Sequence, residues 1–486
     1  MSPVIAHLRS DLERILKNQT SAEERFRDQI LALPRAQQDS FRNLLHYLAL
    51  RREDLRPMQD ALHDAGLSSL ASAESHCMRQ VQAVLQRLGR RLPKEQLSGM
   101  DAHYGATTIR ERATELFGNK PDENIPHLMV TLETAMATDY NAVKQLVKAG
   151  MNIARINTAH DDTDTWTKMV ANVRKAAKST GKSCKVYIDL AGPKIRTTIM
   201  GKGWKKERVK LLERERFFLA ESGAKVDRRE KVVGCTLPGV VKDLREGDRV
   251  LFDDGLFEAV VETPGELMAE LYMHRVSALK PRLKAEKGIN FPDTHLSVRC
   301  LTDFDRSVIP FAVANADMLG FSFVRTAEDV AELQQLLREF GSPTLPIILK
   351  IETAEAVQNL PSLLYQGMHE QVFGVMIARG DLAVEIGFER LSEIQEEILW
   401  LCEAAHVPVI WATQVLETLN KSGIATRSEV TDAARAAHAD CVMLNKGKYL
   451  LSVLATLQDI LHRSGGHHTK KRYIFRPLKI AERFLG

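Results

Sequence analysis

The segment VFGVMIARGDLAVEIG, residues 372–387, begins as an almost unbroken apolar run and then turns abruptly into Arg379, Gly380 and Asp381. A continuous apolar run of this length is typical of a strand that is buried on both faces of a parallel sheet. A guanidinium and a carboxylate at the end of such a strand are costly to bury unless they are paired or bind a ligand. Four other segments of the chain end in the same way, and this repetition makes the fold predictable.

Residues 125–463 alternate between short apolar runs and longer amphipathic stretches such as TAEDVAELQQLLREFG. Strand–helix alternation of this kind indicates a parallel sheet. A doubly wound open sheet could hold eight strands, but a closed (β/α)8 TIM barrel uses that number naturally, and we favour the barrel. The eight predicted strands are HLMVTL (127–132), NIARIN (152–157), KVYIDL (185–190), DMLGFSF (317–323), PIILKIE (346–352), GVMIARG (374–380), PVIWATQ (408–414) and DCVMLN (440–445).

The connection between the third and fourth strands is far too long for a barrel loop. Its first part has alternating apolar residues, turn glycines and an Asp-Asp-Gly signal, which predict a small inserted β-barrel lid domain. Before the barrel, apolar residues at helical spacing predict an all-α extension, with Ser10, Ser40 and Ser75 as helix caps. The predicted domains are the helical extension 1–120, the barrel 121–197 and 286–463, the lid 198–285 and a basic tail 464–486.

Composition and charge are those of an ordinary globular protein of two or three domains. The chain has 486 residues, of which 44% are hydrophobic and 27% charged, and a net charge of +4. The tail 464–486 carries six Lys and Arg residues against one acid, so no basic face is expected on the rest of the molecule, and we expect neither a nucleic-acid nor a membrane partner. Six scattered cysteines and the absence of a signal-like or membrane-spanning run predict a cytoplasmic protein with reduced thiols.

Polar and ionisable residues stand at the ends of five of the eight predicted strands. In a (β/α)8 barrel the reactive groups lie at these carboxyl ends, where the loops project over the barrel mouth. One shared site is more probable than five unrelated structural roles. The residues are Arg155 and Asn157 after strand two, Asp189, Gly192, Lys194 and Arg196 at strand three, Lys350 and Glu352 at strand five, Arg379 and Asp381 at strand six, and Thr413 and Gln414 at strand seven.

The residue types at these strand ends agree with phosphoryl transfer. Lys350 and Glu352 are two residues apart, so their side chains point to the same side of the sheet. Glu352 and Asp381 come from adjacent strands and form a plausible two-carboxylate site for Mg²⁺. Gly380 lets an anion approach the backbone. Positive charge for phosphate comes from Arg155, Arg196 and Lys350. Metal, cations and backbone donors are what phosphoryl transfer requires.

Each of these residues also has an ordinary structural alternative. Lys350 and Glu352 could form an internal salt bridge, and Asp381 could cap the turn that follows it. Arg379 could pack under the loop by bonding neighbouring carboxylates. Thr413 could be a satisfied strand-end hydroxyl, and His160 an unremarkable loop histidine.

Nine segments of the chain resemble the pyruvate kinase family, occur in that family's order and cover about residues 125–460. The resemblance implies a (β/α)8 barrel with a mobile β-barrel lid after strand three. It also implies a glycolytic phosphotransferase that moves phosphate from phosphoenolpyruvate to ADP, yielding pyruvate and ATP with Mg²⁺ or Mn²⁺. The segments are GMNIARINTAH (150–160), YIDLAGPKIRT (187–197), FDDG (252–255), KGINFP (287–292), SFVRTAEDV (322–330), LKIETAEAV (349–357), MIARGDLAVEI (376–386), ATQVLETL (412–419) and TRSE (426–429).

The resemblance further implies a role for each matched residue. Lys350 would stabilise the phosphoryl group in transfer, and Glu352 and Asp381 would hold the divalent metal. Arg155 and Asn157 would contact the transferring phosphate. The remaining assignments are the backbone of Gly380 and Asp381 with Thr413 for the substrate carboxylate, Thr413 for proton delivery, and Arg196 and His160, together with Arg155, for the nucleotide.

The chain departs from the family at its monovalent-cation site. Ala159 and Leu190 stand where the family has a serine and a threonine as ligands. Lys194 replaces the glutamate of potassium-dependent members, and a tethered ammonium could take over the charge of the ion. We therefore predict that potassium is not required.

Other departures concern two loops and the ends of the chain. NKGK (445–448) replaces Ser-Gly-Glu-Thr, with Asn445 at the serine, and TLETAM replaces a loop near the nucleotide. The family's C-terminal regulatory domain and its sugar-phosphate activation are expected to be absent. We expect a homo-oligomer, and residues 1–120 are a candidate for assembly or regulation. The alternatives are a pyruvate-forming aldolase and a catalytically weakened sensor of phosphoenolpyruvate or scaffold.

Overall fold

The computed structural model describes residues 3–120, 122–278, 280–369, 372–465, 468–470 and 472–473. Eight parallel strands form a closed barrel in which each strand pairs with its neighbours in the chain and the last pairs with the first. The predicted (β/α)8 barrel is confirmed, because ring closure excludes an open doubly wound sheet. The strands are β1 (His127–Thr131), β2 (Ile153–Asn157), β3 (Lys185–Asp189), β4 (Met318–Phe321), β5 (Ile347–Ile351), β6 (Gly374–Ala378), β7 (Val409–Ala412) and β8 (Cys441–Leu444).

Helices surround the barrel, and several begin at a residue whose side chain caps them. Thr302, Thr326 and Thr426 each form a capping box, in which the threonine and an acid three residues later bond each other's backbone amides. The helices are Tyr140–Lys148, Thr163–Thr180, Asp303–Asn315, Ala327–Glu339, Ala354–Gln358, Leu360–Gly367, Arg379–Ile386, Leu391–Ala404, Glu417–Ser422, Arg427–Arg435 and Leu450–Gly465, with short 3₁₀ turns at Thr134–Ala137, Phe388–Arg390 and Ala436–His438.

The insertion between β3 and β4 has its own sheet and its own apolar core, which includes Phe217, Phe252 and Phe257. Its seven-stranded sheet consists, in spatial order, of Ile289–Asn290, Arg249–Phe252, Phe257–Thr263, Met268–Val276, Arg216–Ala220, Val232–Cys235 and Thr197–Ile199. A separate two-stranded ribbon pairs Arg208–Lys210 with Arg282–Lys284, and 3₁₀ turns lie at Trp204–Lys206 and Val241–Asp243. The strands of this domain extend slightly beyond the predicted lid bounds of 198–285. The two end strands of the sheet include residues 197 and 289–290, and hydrogen bonds join the segments next to them.

The two edge strands of this sheet meet where Arg196 pairs with Gly288. The amide of Thr197 donates to the carbonyl of Lys287 at 2.7 Å, and the amide of Ile289 donates to that of Ile195 at 2.9 Å. These bonds bring the two edges of the seven-stranded sheet together. They also fix both connections to the main barrel side by side.

Residues before the barrel form helices, as predicted, but the predicted helix caps are wrong. Ser10 and Ser40 lie inside helices, and Ser75 lies in the 3₁₀ turn Glu74–His76. The helix that contains Ser40 begins directly after Pro34, six residues earlier than a cap at Ser40 would place it, and Ser40 is buried inside it. The helices are Pro3–Arg25, Arg27–Ala32, Arg35–Arg51, Arg56–Asp64, Cys77–Arg87 and Ala102–Phe117, with a further 3₁₀ turn at Lys94–Gln96.

The helix Ala102–Phe117 closes the amino-terminal end of the barrel. Ala113, Leu116 and Phe117 are buried in one apolar cluster with residues of the barrel interior, among them Ile153. The side chain of Phe117 is only 1% exposed. This helix therefore completes the inner core of the barrel.

A second contact joins the helical region to the turn before β7. Asn43 donates to the carbonyl of Ala404 at 2.8 Å, and the hydroxyl of Ser40 lies 3.0 Å from Nδ1 of His406. Arg112 donates to the carbonyls of Ala405 (3.3 Å) and His406 (3.0 Å). Burial lowers the pKa of His406 to about 4, so this histidine is neutral near pH 7.

All six cysteines are buried and free. Burial raises the pKa of the Cys184 and Cys300 thiols to about 12. Across the part of the chain that the structure describes, no helix combines the length and the apolar character that a membrane crossing demands. Most of the predicted basic tail lies outside the described residues.

Candidate functional site

A cleft of about 640 Å³ opens at the carboxyl ends of the barrel strands, where the sequence placed the site. Ten residues were predicted to bind the substrate, the nucleotide or an ion or to replace an ion here, and all of these but Gly380 line the cleft. Gly380 directly precedes Asp381, and its amide donates to Oγ1 of Thr413 at 2.7 Å. The lining residues are Arg155, Asn157, His160, Lys194, Arg196, Lys350, Glu352, Asp381 and Thr413.

The ammonium of Lys350 lies at the centre of the polar groups. Its Nζ donates to Oγ of Ser322 at 2.6 Å and lies 3.3 Å from the carboxylate of Asp189 and 3.4 Å from that of Glu352. Lys350 is only 7% exposed. Burial alone would lower its pKa, but the two carboxylates outweigh burial and raise it. Lys350 is therefore a buried cation, held in one position by three oxygen groups.

Asp189 holds the two central cations together. It accepts hydrogen bonds from Nε (2.8 Å) and Nη2 (2.6 Å) of Arg155, and from the hydroxyl of Tyr187 at 3.1 Å. Burial opposes its charge, but Lys350 and Arg155 outweigh burial and lower the pKa of Asp189. The Nη1 of Arg155 donates to Oγ1 of Thr131 at 2.9 Å, so this guanidinium is fixed on both sides. Two oriented positive charges thus face the cleft.

Glu352 and Asp381 form a carboxylate pair in the same cleft. Glu352 accepts a hydrogen bond from the amide of Phe323 at 2.7 Å. Burial and the neighbouring charge of Asp381 raise the pKa of Glu352, although Lys350 opposes them. Two carboxylates that repel each other favour a bound cation between them.

The donor set fits a divalent ion that keeps open positions for substrate. Among the described residues, no group of three or more His, Cys, Asp or Glu side chains could hold a metal. Mg²⁺ commonly uses only one or two protein carboxylates and completes its octahedron with water and substrate oxygens. Glu352 and Asp381 therefore suit Mg²⁺ or Mn²⁺.

Lys194 lies beside the carboxylate pair. Its Nζ is 2.9 Å and 3.0 Å from the two oxygens of Asp381. The loop that carries Lys194 is fixed by Gly192, whose amide donates to Asp305 at 3.1 Å. Gly192 has φ of +67°, and a Cβ there would lie 2.8 Å from Cβ of Ser322, so only glycine fits. Asp381 pairs with Lys194 and makes no cap hydrogen bond to the helix that contains it.

The turn after β7 has a strained backbone. Thr413, Gln414 and Leu416 all have positive φ, between 48° and 63°. Such values are rare for residues other than glycine and cluster at functional sites. The hydroxyl of Thr413 accepts the amide hydrogen bond of Gly380, so this turn and the start of the next helix are locked together.

Arg379 supports this turn from below. Its Nε donates to the carbonyl of Ala412 at 3.0 Å, and its guanidinium also bonds the carbonyl of Thr413 and the carboxylate of Asp432. The guanidinium carbon lies 4.7 Å from the ring centroid of Trp411. Arg379 is 4% exposed, and burial lowers its pKa. The contacts of Arg379 thus agree with the structural alternative, in which it packs under the loop and bonds a neighbouring carboxylate. Arg379 does not line the cleft.

Asn157, His160 and Arg196 lie toward the rim of the cleft. Asn157 accepts the amide hydrogen bond of Ala159 at 3.1 Å, and Arg196 donates to the carbonyl of Glu286 at 3.1 Å. Partial burial lowers the pKa of His160, and so do nearby cations, of which Lys446 contributes most. Arg196 and the nearby Lys446 give this part of the rim positive charge, whereas the lowered pKa keeps His160 closer to neutral.

Sequence reasoning missed three polar residues that hold the site together. Ser322 accepts from Lys350, Thr131 accepts from Arg155 and Tyr187 donates to Asp189. Ser322 and Thr131 stand at or just after strand ends, so the rule that found the other residues could have found them. Tyr187 lies inside β3, and no local pattern marks it.

Fold and site together define a (β/α)8 barrel with an inserted β domain and a cleft at the barrel mouth that is lined by cations and two carboxylates. The family model for the barrel domain of pyruvate kinase matches residues 127–450. The chain belongs to the pyruvate kinase family.

Individual relatives agree with this assignment. A pyruvate kinase of Geobacillus stearothermophilus is 34% identical over 331 residues, which cover 66% of this chain and 54% of the relative. One of Thermotoga maritima is 32% identical over 348 residues and 70% of both chains. One of Staphylococcus saprophyticus is 31% identical over 351 residues, 71% of this chain and 58% of the relative. The chain thus spans little more than half the length of two of these relatives.

Proposed function

We propose that this chain transfers the phosphoryl group of phosphoenolpyruvate to ADP and releases pyruvate and ATP. The observation that carries the proposal is the buried ammonium of Lys350, which is fixed between Ser322, Asp189 and Glu352. The cleft around it is also lined by the carboxylate of Asp381. Phosphoryl transfer depends mainly on such positioned charge. Family membership supports the same reaction.

The central residues would bind and orient the transferring group. Lys350 would donate hydrogen bonds to the phosphoryl oxygens, where negative charge is shared in the transition state. Arg155, held by Asp189 and Thr131, would contact the same phosphate beside Asn157. Glu352 and Asp381 would hold a Mg²⁺ or Mn²⁺ ion, which when bound neutralises charge on substrate and phosphoryl oxygens.

The turn after β7 would bind the other end of the substrate. The amides of Gly380 and Asp381 lie in the first turn of a helix, where the backbone favours a carboxylate. The Gly380 amide, which donates to Thr413, would exchange that bond for one to the substrate. Thr413 bonds the amide of Gly380 and lines the cleft, so its hydroxyl would face a substrate bound there. Thr413 would thus belong to the proton-delivery network.

The rim of the cleft would receive the nucleotide. His160 and Arg196 line it, and the charge of Lys446 reaches His160. We assign the diphosphate of ADP to this positive edge, with Arg155 between it and the phosphoenolpyruvate subsite.

The decisive experiment compares pyruvate release by the wild type with Lys350→Met, with Mg²⁺ or Mn²⁺ present. Loss of one preorganised donor typically costs about 10²–10³ in kcat, and we expect at least that loss. The matched control is Lys182→Met, an exposed lysine remote from the cleft, with unchanged kcat. Equal turnover by wild type and Lys350→Met would refute the assignment.

We further propose that potassium is not required, because Lys194 supplies a tethered positive charge next to Asp381. Wild-type kcat should be the same in Na⁺ and K⁺ at constant ionic strength. Lys194→Gln should lower kcat about tenfold or more, and K⁺ should restore part of it if the charge is what matters. A wild type that K⁺ activates would contradict the proposal.

The altered loop after β8, with Asn445 in place of the family's serine, favours a second candidate: a catalytically weak sensor of phosphoenolpyruvate or a scaffold. Calorimetric binding of phosphoenolpyruvate without any pyruvate release would favour it. The proposed kinase is also assigned to the cytoplasm and to a homo-oligomer, which light scattering of the purified chain would test.

A further inference from the structure

The two-stranded ribbon of the inserted domain presents four cations on one face. Arg208 and Lys210 alternate with buried Val209 on one strand, and Arg282 and Lys284 alternate with buried Leu283 on the other. The antiparallel register places Arg282 opposite Lys210 and Lys284 opposite Arg208. Directly opposed residues point to the same face of a sheet, so all four exposed side chains share one surface, which we call the basic ribbon.

This arrangement is unfavourable for the isolated fold. Like charges directly opposite each other destabilise a strand pair. None of the four cations forms an ion pair with another described residue, whereas other exposed arginines of the same domain do, for example Arg216 with Glu262 and Arg249 with Asp293. The basic ribbon thus keeps its charge available to a partner.

Residues next to the basic ribbon enlarge the same positive surface. The segments 202–210 and 280–287 together contain nine basic and two acidic residues, although the whole chain has a net charge of only +4. Trp204 lies in the turn that leads into the ribbon and is 39% exposed. Lys205 and Arg228 lie near its ring, at 5.8 Å and 4.3 Å from the centroid. The charge is therefore local, and an exposed aromatic side chain lies beside it.

The spacing of the cations suits a chain of phosphates. Side chains two residues apart on a strand are about 6.7 Å apart, and the two strands are about 4.8 Å apart. A row of cations beside an exposed aromatic ring is the combination that binds single-stranded nucleic acid, through phosphate contacts and base stacking. A membrane surface would need several apolar side chains to insert, and only Trp204 and Leu212 are exposed in residues 202–215. We propose that the basic ribbon binds single-stranded nucleic acid.

This surface is distinct from the cleft. None of the four cations lines the cleft, although the ribbon joins its rim where the hydroxyl of Thr197 donates to the carbonyl of Lys284 at 2.7 Å. The inference does not depend on the proposed kinase reaction. It departs from the expectation of no nucleic-acid partner, which rested on the low net charge of the whole chain.

The test measures fluorescence anisotropy of labelled 20-nucleotide oligo(U) and oligo(dT) with the full chain between 25 and 200 mM salt. The four-fold variant Arg208→Gln, Lys210→Gln, Arg282→Gln, Lys284→Gln should bind at least tenfold more weakly. The slope of log Kd against log salt should fall by about 0.7 for each phosphate contact that is lost. Trp204→Ala should weaken binding several-fold with little change of that slope, because stacking is not an ionic contact.

The matched control removes four exposed cations of the helical region, Arg52, Arg91, Lys94 and Arg110, each changed to Gln. This control variant loses the same total charge as the ribbon variant. It should nevertheless bind within about twofold of the wild type, because its four cations lie outside the basic ribbon. Equal weakening by both variants would show that net charge alone acts and would overturn the proposal. So would no wild-type binding at 25 mM salt, or binding only to vesicles of anionic phospholipid.

Discussion

Ser322 limits the freedom of the Lys350 ammonium. Its Oγ accepts the lysine hydrogen bond at 2.6 Å and donates to the carbonyl of Leu190 at 2.6 Å, so the hydroxyl proton is already used and the lone pair faces Lys350. The other two partners of Lys350 are carboxylates at longer range. Ser322 is therefore a positioning residue for the charge that would contact the phosphoryl group.

Ser322→Ala should lower kcat for pyruvate release about tenfold and change KM for phosphoenolpyruvate much less, because the lysine charge remains but loses its orientation. The control is Ser452→Ala on an exposed helix position, which should leave both constants unchanged. A rise in KM for phosphoenolpyruvate with an unchanged kcat would assign Ser322 to ground-state binding instead.

Glu385 gives the site helix an unusual carboxyl group. It lines a smaller cavity between the barrel and the inserted domain and accepts from the side chain of Asn290 at 2.9 Å. Burial, with smaller effects from Asp381 and Asp293, raises its pKa from 4.5 to about 7. Between these two pH values the folded protein binds more protons at Glu385 than the unfolded chain does. The free energy of unfolding therefore falls as pH rises through this window.

Glu385→Gln removes this titration. We expect the variant to gain stability relative to the wild type between pH 5 and pH 8, as measured by urea unfolding at both values. Glu389→Gln, on an exposed position of the following turn, is the control substitution and is measured at the same two pH values. A Glu385→Gln difference that does not change with pH would show that Glu385 titrates normally.

For individual residues, the sequence predicted the position of a site side chain where a polar residue ends an apolar run. Arg155, Lys350 and Glu352 were found in this way, because the cost of burying a charge marks its position in the sequence. The same pattern could not separate Arg379, which supports a turn, from Asp381, which faces the cleft. Arg379 is held by Ala412 and Asp432, which lie 33 and 53 positions further along the chain, and no local sequence pattern indicates such contacts.

At the scale of elements, the helix Ala102–Phe117 connects the helical region to the barrel. Arg112 on this helix is buried and donates to the carbonyls of Ala36, Ala405 and His406 and to the side chain of Gln37. Burial lowers its pKa to about 10, so it stays charged at neutral pH. One guanidinium thus satisfies backbone groups on both sides of the contact.

Arg112→Ala should lower the free energy of unfolding by about 2–4 kcal/mol, because several buried carbonyls lose their donor. Urea unfolding measures the loss. Arg110→Ala, two residues earlier on the same helix and exposed, should change stability by less than about 0.5 kcal/mol. Equal effects of the two substitutions would mean that helix propensity, and not the buried contact, determines the cost.

The strands were predictable because each is buried on both faces and reads as a continuous apolar run. Predicted and observed strands overlap in all eight cases, and the predictions run past the observed ends by up to two residues in most of them. Several of the extra residues, such as Glu352 and Thr413, are polar ones that line the cleft. The helix caps failed because a buried serine such as Ser40 and a capping serine look alike in a single sequence.

At the scale of the whole molecule, residues 1–120 are part of the barrel's structure. Phe117 and Leu116 fill the barrel interior, and Asn43, Ser40 and Arg112 bond the turn before β7. Sequence alone could not predict this, because it shows which faces of a helix are apolar and not what those faces contact. A purely regulatory role for this region would therefore be difficult to isolate by deletion.

A chain that lacks residues 1–120 should fail to give a cooperative unfolding transition and should release no pyruvate, since its barrel core would be open at one end. Circular dichroism during urea titration and the activity assay measure this. As a control, cutting the intact chain at an engineered protease site between residues 118 and 124 should leave both pieces associated and folded. A soluble, active truncated chain would show that the barrel closes without the helical region.

The six buried cysteines give each part of the molecule its own chemical reporter. Cys77 lies in the helical region, Cys235 in the inserted domain, and the other four, Cys184, Cys300, Cys402 and Cys441, lie in or beside the barrel. A thiol reagent can reach any of them only when the surrounding structure opens. The unmodified chain can therefore serve in pulse-labelling experiments. The order in which the cysteines are alkylated shows which part of the molecule opens first. It also accepts a single engineered surface cysteine for a fluorophore without prior removal of native thiols.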